Sequence, residues 1–148
     1  VIAFAQEHYS LELGLELLPL VRRNWRESPS YEEGVDADPD FERYRRLDEA
    51  GACLFLSARD AGTLIGYVVF FVLQSPHHKS LLVAHGDAFY VLPEHRGHGL
   101  ALYRKAEAML RERGVKRVGF TVDIGSYLHQ LLGSVGYRND ELVVEKIL

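Results

Sequence analysis

Arg96, Gly97 and Gly99 lie in the stretch Asp87-Ala-Phe-Tyr-Val-Leu-Pro-Glu-His-Arg-Gly-His-Gly-Leu-Ala101, where an apolar run breaks at Pro93 and an amphipathic run begins. A helix start leaves backbone N–H groups unpaired and carries the positive end of the helix dipole. Glycines there expose the main chain, so an anion can approach it closely. The guanidinium of Arg96 adds a fixed positive charge at the entrance. Together Arg96, Gly97, His98, Gly99, Leu100 and Ala101 suit the cradling of a pyrophosphate. The plainer reading is a strand-to-helix turn in which the glycines only relieve backbone strain.

Two familiar glycine loops do not fit. The phosphate loop of nucleotide hydrolases needs Lys and then Ser or Thr after its last glycine, and here Leu100 and Ala101 follow Gly99. A dinucleotide fingerprint beginning Gly97-His98-Gly99 would need a small residue at Leu102 and an acid roughly 20 positions on. What remains is Arg96-x-x-Gly99-x-Ala101, placed after an apolar strand and before a helix that ends at Gly114. This resembles the coenzyme A signature of the GNAT superfamily of N-acetyltransferases, whose pattern is Arg or Gln, two residues, Gly, one residue, Gly or Ala. Gly136-Tyr137 extends the resemblance, because family members carry Gly-Phe or Gly-Tyr after their last helix.

The resemblance implies an acetyl-CoA-dependent transfer of an acetyl group to a primary amine by direct attack on the thioester. It implies a sheet that splays between the strand ending at Val91 and the strand starting at Val115, with the coenzyme against the backbone of Phe89, Tyr90 and Val91. A carboxylate working through water is implied at Asp87, on a strand face expected to be shared with Phe89 and Val91, with His85 in reserve. A charge inside an apolar strand also has few structural reasons to be there, and function and structure stand about even for it. The tyrosine that often protonates the departing thiolate would fall at Leu132, so His129 stands as substitute acid and Tyr127 behind it. A surface histidine is the plainer reading of His129. The acidic loop from Glu32 to Asp40 falls where the family builds its acceptor pocket, and a solvated loop is again the plainer reading.

Val1 to Phe4 is a short first strand, and Ser10 is an N-cap for a helix with Leu11, Leu15, Leu18 and Trp25 on one stripe and Leu13, Leu17 and Leu20 on the next. Pro19 predicts a kink or split in it. Asp38 and Pro39 are expected to open a second helix bearing Phe41, Tyr44 and Leu47, stopped near Gly51. Ala52 to Ala58 and Thr63 to Leu73 read as strands joined by a hairpin turn at Arg59 to Gly62, and Leu81 to Val91 returns after a polar tip. Leu102, Ala106, Met109 and Leu110 mark the helix after the loop. Val115 to Val122 is a strand, Asp123 or Ser126 caps a last helix, and Glu141 to Leu148 is a closing strand.

The expected fold class is therefore α/β, with a mixed, mostly antiparallel sheet of about six strands flanked by about four helices. A chain of 148 residues that is 47% hydrophobic is long enough for one domain, expected over residues 1–148. The net charge of -4 and the spread of charges point away from nucleic acid. The apolar run from Leu64 to Leu73 is strand-sized and no targeting peptide is evident, so no membrane association and a cytoplasmic location are expected. Cys53, the single cysteine, sits in an apolar strand and reads as structural. No metal site is expected, since adjacent His77 and His78 point to opposite strand faces without partners. The acceptor would be a small-molecule or protein amine, and a homodimer is a possibility left open. The alternative is a catalytically silent coenzyme A binding or interaction module on the same fold.

Overall fold

Cys53 to Ala58 and Leu64 to Phe70 are almost unbroken apolar runs, a pattern that suits strands covered on both faces. The computed structural model describes residues 1–148 and shows the cover. Leu54, Leu56, Val68 and Phe70 pack with the helix Gly99–Glu112 and with Leu131 and Leu132. Their alternates Cys53, Phe55, Tyr67 and Val69 pack with Leu13, Leu17 and Leu20 on the other face.

Strands β1 (Ile2–Gln6), β2 (Cys53–Asp60), β3 (Thr63–Ser75), β4 (His78–Val91) and β5 (Arg117–Phe120) form one sheet in the order β1-β2-β3-β4-β5. The first three pairings are antiparallel and β4 with β5 is parallel. Helices α1 (Leu11–Glu27) and α2 (Phe41–Glu49) precede β2, while α3 (Gly99–Glu112) and α4 (Tyr127–Ser134) flank β5 in sequence. The β2–β3 turn is tight, with Ala61 at φ 46° and Gly62 at φ 87°, the two positive φ values that let a two-residue turn follow the strand twist.

Three expectations are corrected: the closing strand, the split in α1 and the cap of α2. The sheet of five strands agrees with the expected count of about six, but the closing strand is absent: Glu141 to Leu148 forms no strand, and Leu142, Val144, Ile147 and Leu148 are exposed. Strand propensity is realised only against a partner edge, and β5 offers four residues. Helix α1 is one helix through Pro19, so the split offered there does not occur, and buried Leu13, Leu17 and Leu20 hold it on both sides of the proline. Of its two leucine stripes only this one is covered, whereas Leu11 and Leu15 are exposed. Finally, α2 is capped by Asp40, whose carboxylate accepts the Arg43 N–H at 2.9 Å, and Asp38 and Pro39 lie outside the helix.

Candidate active site

The site is built around an irregularity in β4. Residues 88 to 91 pair in step with Val69 to Gly66 on β3, but Phe70 pairs with Gly86, so Asp87 is the extra residue of a bulge. A bulge lets successive side chains share a face. Ala84 before it and Phe89 and Val91 after it pack on the α3 side, whereas Asp87 and Ala88 line a cavity on the α1 side. The expectation that Asp87 shares a face with Phe89 and Val91 is thereby corrected, since the alternation that it assumed breaks at the bulge. The Asp87 carboxylate accepts a hydrogen bond from the Tyr44 hydroxyl at 2.5 Å. Burial first, and the Asp87 hydrogen bond second, push the Tyr44 hydroxyl far above its usual range, so it stays a donor.

The pairing of β4 with β5 ends beside the bulge, at Gly86 opposite Phe120. A Cβ on Gly86 would lie 1.9 Å from the Phe120 ring, so only glycine lets that ring cross the strand. From Asp87 to Val91, β4 pairs with β3 alone. Leu92 donates its N–H to Ile65 of β3 at 2.9 Å, and by alternation the N–H groups of Val91 and Phe89 point to the opposite, open edge.

The glycine loop is a 3-10 turn, Pro93–His98, that runs straight into α3. Gly99 has an ordinary helical φ of -62°, so its value lies in size rather than conformation. A Cβ on it would lie 2.0 Å from the Tyr127 hydroxyl, whereas one on Gly97 would meet open space. Helix α3 starts at His98 with no side-chain cap and no acid in its first turn, and Leu100 is partly exposed beyond it. This helix start is electrostatically suited to an anion.

Arg96 spans three elements. Its guanidinium pairs with Glu27 at the end of α1 and stands 5.3 Å from the ring centroid of Tyr127, which opens α4. The Tyr127 hydroxyl in turn donates to the Arg96 carbonyl at 2.8 Å. Glu27 also accepts from the Tyr90 hydroxyl at 2.8 Å, and neighbouring Arg23 bonds Glu94 of the loop at 3.2 Å. The charge that the sequence placed at the cradle entrance is thus held by a carboxylate, and Arg96 fastens the loop to both flanking helices.

Ser126 caps α4 by accepting the His129 N–H. The His129 ring closes the turn before that helix, with Nδ1 accepting the Gly125 N–H at 2.8 Å. Nε2 therefore carries the proton and faces Asn139 Oδ1 at 3.1 Å. Leu132 is buried in the core against α3. The structure brings Tyr127 together with Arg96 and Gly99, and brings Asp87 together with Tyr44; Tyr127 packs on the α3 side of the sheet and Asp87 on the α1 side, with Arg96 reaching α1 through Glu27.

Two cavities meet at Asp87. The larger, about 480 Å³, opens between α2 and the sheet beside Tyr44, Leu47, Phe71 and Arg43. The smaller, about 210 Å³, runs under α1 past Tyr9, Leu17 and Tyr67, and both share Pro39, Tyr44 and Asp87. Of the acidic loop, Glu32, Glu33 and Asp36 are exposed and line neither cavity. Sequence reasoning missed Tyr44 and Glu27 as site residues. Tyr44 was legible only as part of the apolar face of α2, and Glu27 as a surface acid.

Residues 18–131 match the acetyltransferase (GNAT) family model. No curated protein matches the chain. A ribosomal-protein-alanine N-acetyltransferase from Brucella melitensis biovar Abortus 2308 superposes with a TM-score of 0.73 at 22% identity, over 100% of this chain and 99% of that one. An aminoglycoside acetyltransferase from an uncultured soil metagenomic sample, in complex with sisomicin, gives 0.78 at 16% identity over 99% and 95%. A predicted acetyltransferase from Clostridium acetobutylicum, solved with acetyl-CoA, gives 0.72 at 14% over 99% and 96%. These likenesses show a common fold. With the family match spanning most of the chain, the protein belongs to the GNAT family of acetyltransferases.

Proposed function

We propose that residues 1–148 act as one acyltransferase domain that takes an acetyl group from acetyl-CoA and gives it to an amine. The observation that carries the reading is the coincidence, at Asp87, of an unpaired strand edge, a carboxylate and two cavities. Acetyl-CoA, when bound, supplies the activated acetyl thioester. The outward N–H groups of Phe89 and Val91 hold it as a neighbouring strand would, while Tyr90 anchors the strand through Glu27. A donor of this kind strengthens as charge develops on a carbonyl oxygen. Gly97, His98, Gly99, Leu100 and Ala101 take the pyrophosphate at the α3 start.

Asp87 takes the proton that an ammonium must lose before its nitrogen can attack, and Tyr44 fixes the carboxylate. Arg96 and Tyr127 shape the loop rather than carry a proton, and His129 braces the turn before α4. The thiolate leaves without a dedicated acid, in keeping with the buried Leu132.

A calorimetric titration with acetyl-CoA tests this, repeated on Gly99→Trp. The parent binds and Gly99→Trp does not, because even a Cβ meets Tyr127 there. Binding weaker than roughly millimolar, about -4 kcal/mol, overturns the reading. Binding without turnover of any amine leaves the silent coenzyme A module in its place.

A further inference from the structure

Helix α2 carries three arginines, and they are not equivalent. Arg45 pairs with Glu42 and Glu49, and Arg46 lies 3.8 Å from Glu42. No carboxylate lies within 4.0 Å of the Arg43 guanidinium, which lines the larger cavity together with Asp87. The other acid of that cavity, Asp40, is committed as the α2 cap through its bond to the Arg43 N–H. Opposite charges are thus presented to one space of about 480 Å³, a volume that suits a small molecule. Between them the wall is apolar and aromatic. Phe71 stacks on Tyr44 with centroids 5.9 Å apart, Tyr44 stacks on Tyr9 at 5.2 Å, and Leu47 adds an aliphatic edge.

Resting on the acetyltransferase reading above, we infer that the acceptor is a free α-amino acid with an apolar or aromatic side chain. Its ammonium sits at Asp87, its carboxylate at Arg43, and its side chain against Phe71 and Tyr44. A guanidinium fork matches a carboxylate with two hydrogen bonds. The same charge repels a polycation, so polyamines are poor acceptors despite the acidic loop nearby. In the reaction the ammonium gives one proton to Asp87, and its lone pair then forms the carbon–nitrogen bond as the carbon–sulfur bond breaks. A second proton leaves the nitrogen as the amide forms. One of the two protons ends on the thiolate and the other passes to water.

The test is thiol release from acetyl-CoA with L-phenylalanine, L-phenylalanine amide and spermidine. The amide keeps the amine and the ring and replaces the carboxylate with a neutral group; its amine is less basic, which favours it as a nucleophile and works against the expected order. The expected order of kcat/KM is the acid first, the amide at least tenfold lower and spermidine lowest. In Arg43→Gln the acid-to-amide ratio falls at least tenfold, mostly through KM for the acid, and Arg43→Lys restores part of it. A parent that acetylates the amide as well as the acid, or an Arg43→Gln enzyme with the parental ratio, overturns the inference. Those outcomes leave the acetyltransferase reading standing. Failure of that reading is seen separately, as absence of acetyl-CoA binding and of thiol release with all three amines.

Discussion

At the scale of single residues, the glycine loop works through what its glycines do not carry. Both glycines were read from the sequence as a candidate anion cradle, but the packing reason for Gly99 was not legible there, because it depends on a hydroxyl from α4, 28 positions later at Tyr127. Gly99→Ala forces the Tyr127 hydroxyl off its bond to the Arg96 carbonyl. Overpacking of this kind costs about 1–3 kcal/mol. Tyr127→Phe alone loses one hydrogen bond, about 1 kcal/mol. The double variant relieves the clash, so it is more stable than the sum of the two singles predicts by about 1 kcal/mol or more. Urea unfolding of the four proteins checks this, and strict additivity would mean that Gly99 and Tyr127 do not share the space. Asp87→Asn keeps the size of the side chain and removes the base. Its kcat falls by about 10²–10⁴ if Asp87 takes the proton, while acetyl-CoA binding by calorimetry stays within about threefold, because the proposed coenzyme contacts are to backbone N–H groups rather than to the Asp87 side chain.

At the scale of elements, legibility followed whether the deciding contact was local. Ser10, and Ser126 as the alternative to Asp123, were readable as caps because a cap bonds three residues ahead, and both do so. The bulge at Asp87 was not readable, since an extra residue in one strand is defined only by the register of its partner. Gly86 was its one trace, a glycine within a strand. The buried stripe of α1 was equally undecided, because two leucine stripes had helical period and only the sheet chose between them. Strand β2 is fastened to α1 and to the segment just after β1 by Arg59, which bonds Glu7 at 2.7 Å and also pairs with Glu16. The Arg59 hydrogen bond, first among several causes, holds the Glu7 carboxyl below its usual range. A carboxylate with a depressed folded pKa stabilises the fold above its unfolded value, and that contribution is lost as pH falls through the folded one. Glu7→Gln therefore lowers Tm at pH 7, and the gap from the parent narrows below about pH 4. Melting curves from pH 3 to 8 read it, and a gap constant across that range removes the ion pair as its cause.

At the scale of the whole molecule, the order of elements carried the fold, and the sheet's open side sets its boundary. The core closes on both faces of β2 and β3 without help from the C-terminal residues, and Tyr137 is the last side chain tied into it, through Tyr103 at 3.1 Å and the Phe120 ring. Beyond it, Arg117 and Asp140 stand 3.7 Å apart on the surface. The strand expected over Glu141 to Leu148 has no partner, since Leu142, Val144, Ile147 and Leu148 are exposed. Cutting the chain after Asp140 thus removes apolar surface that folding never buried. The cost is that of an exposed change, within about 0.5 kcal/mol, or roughly 2 °C in Tm for a chain of this length. Thermal unfolding of the shortened and full chains at equal concentration decides it. A fall of more than about 5 °C would show that the segment pairs with the free edge of β5 in solution. Light scattering on the same samples then tells whose edge it is. A dimer that becomes a monomer on shortening places the strand on a second copy, and a monomer throughout places it on its own.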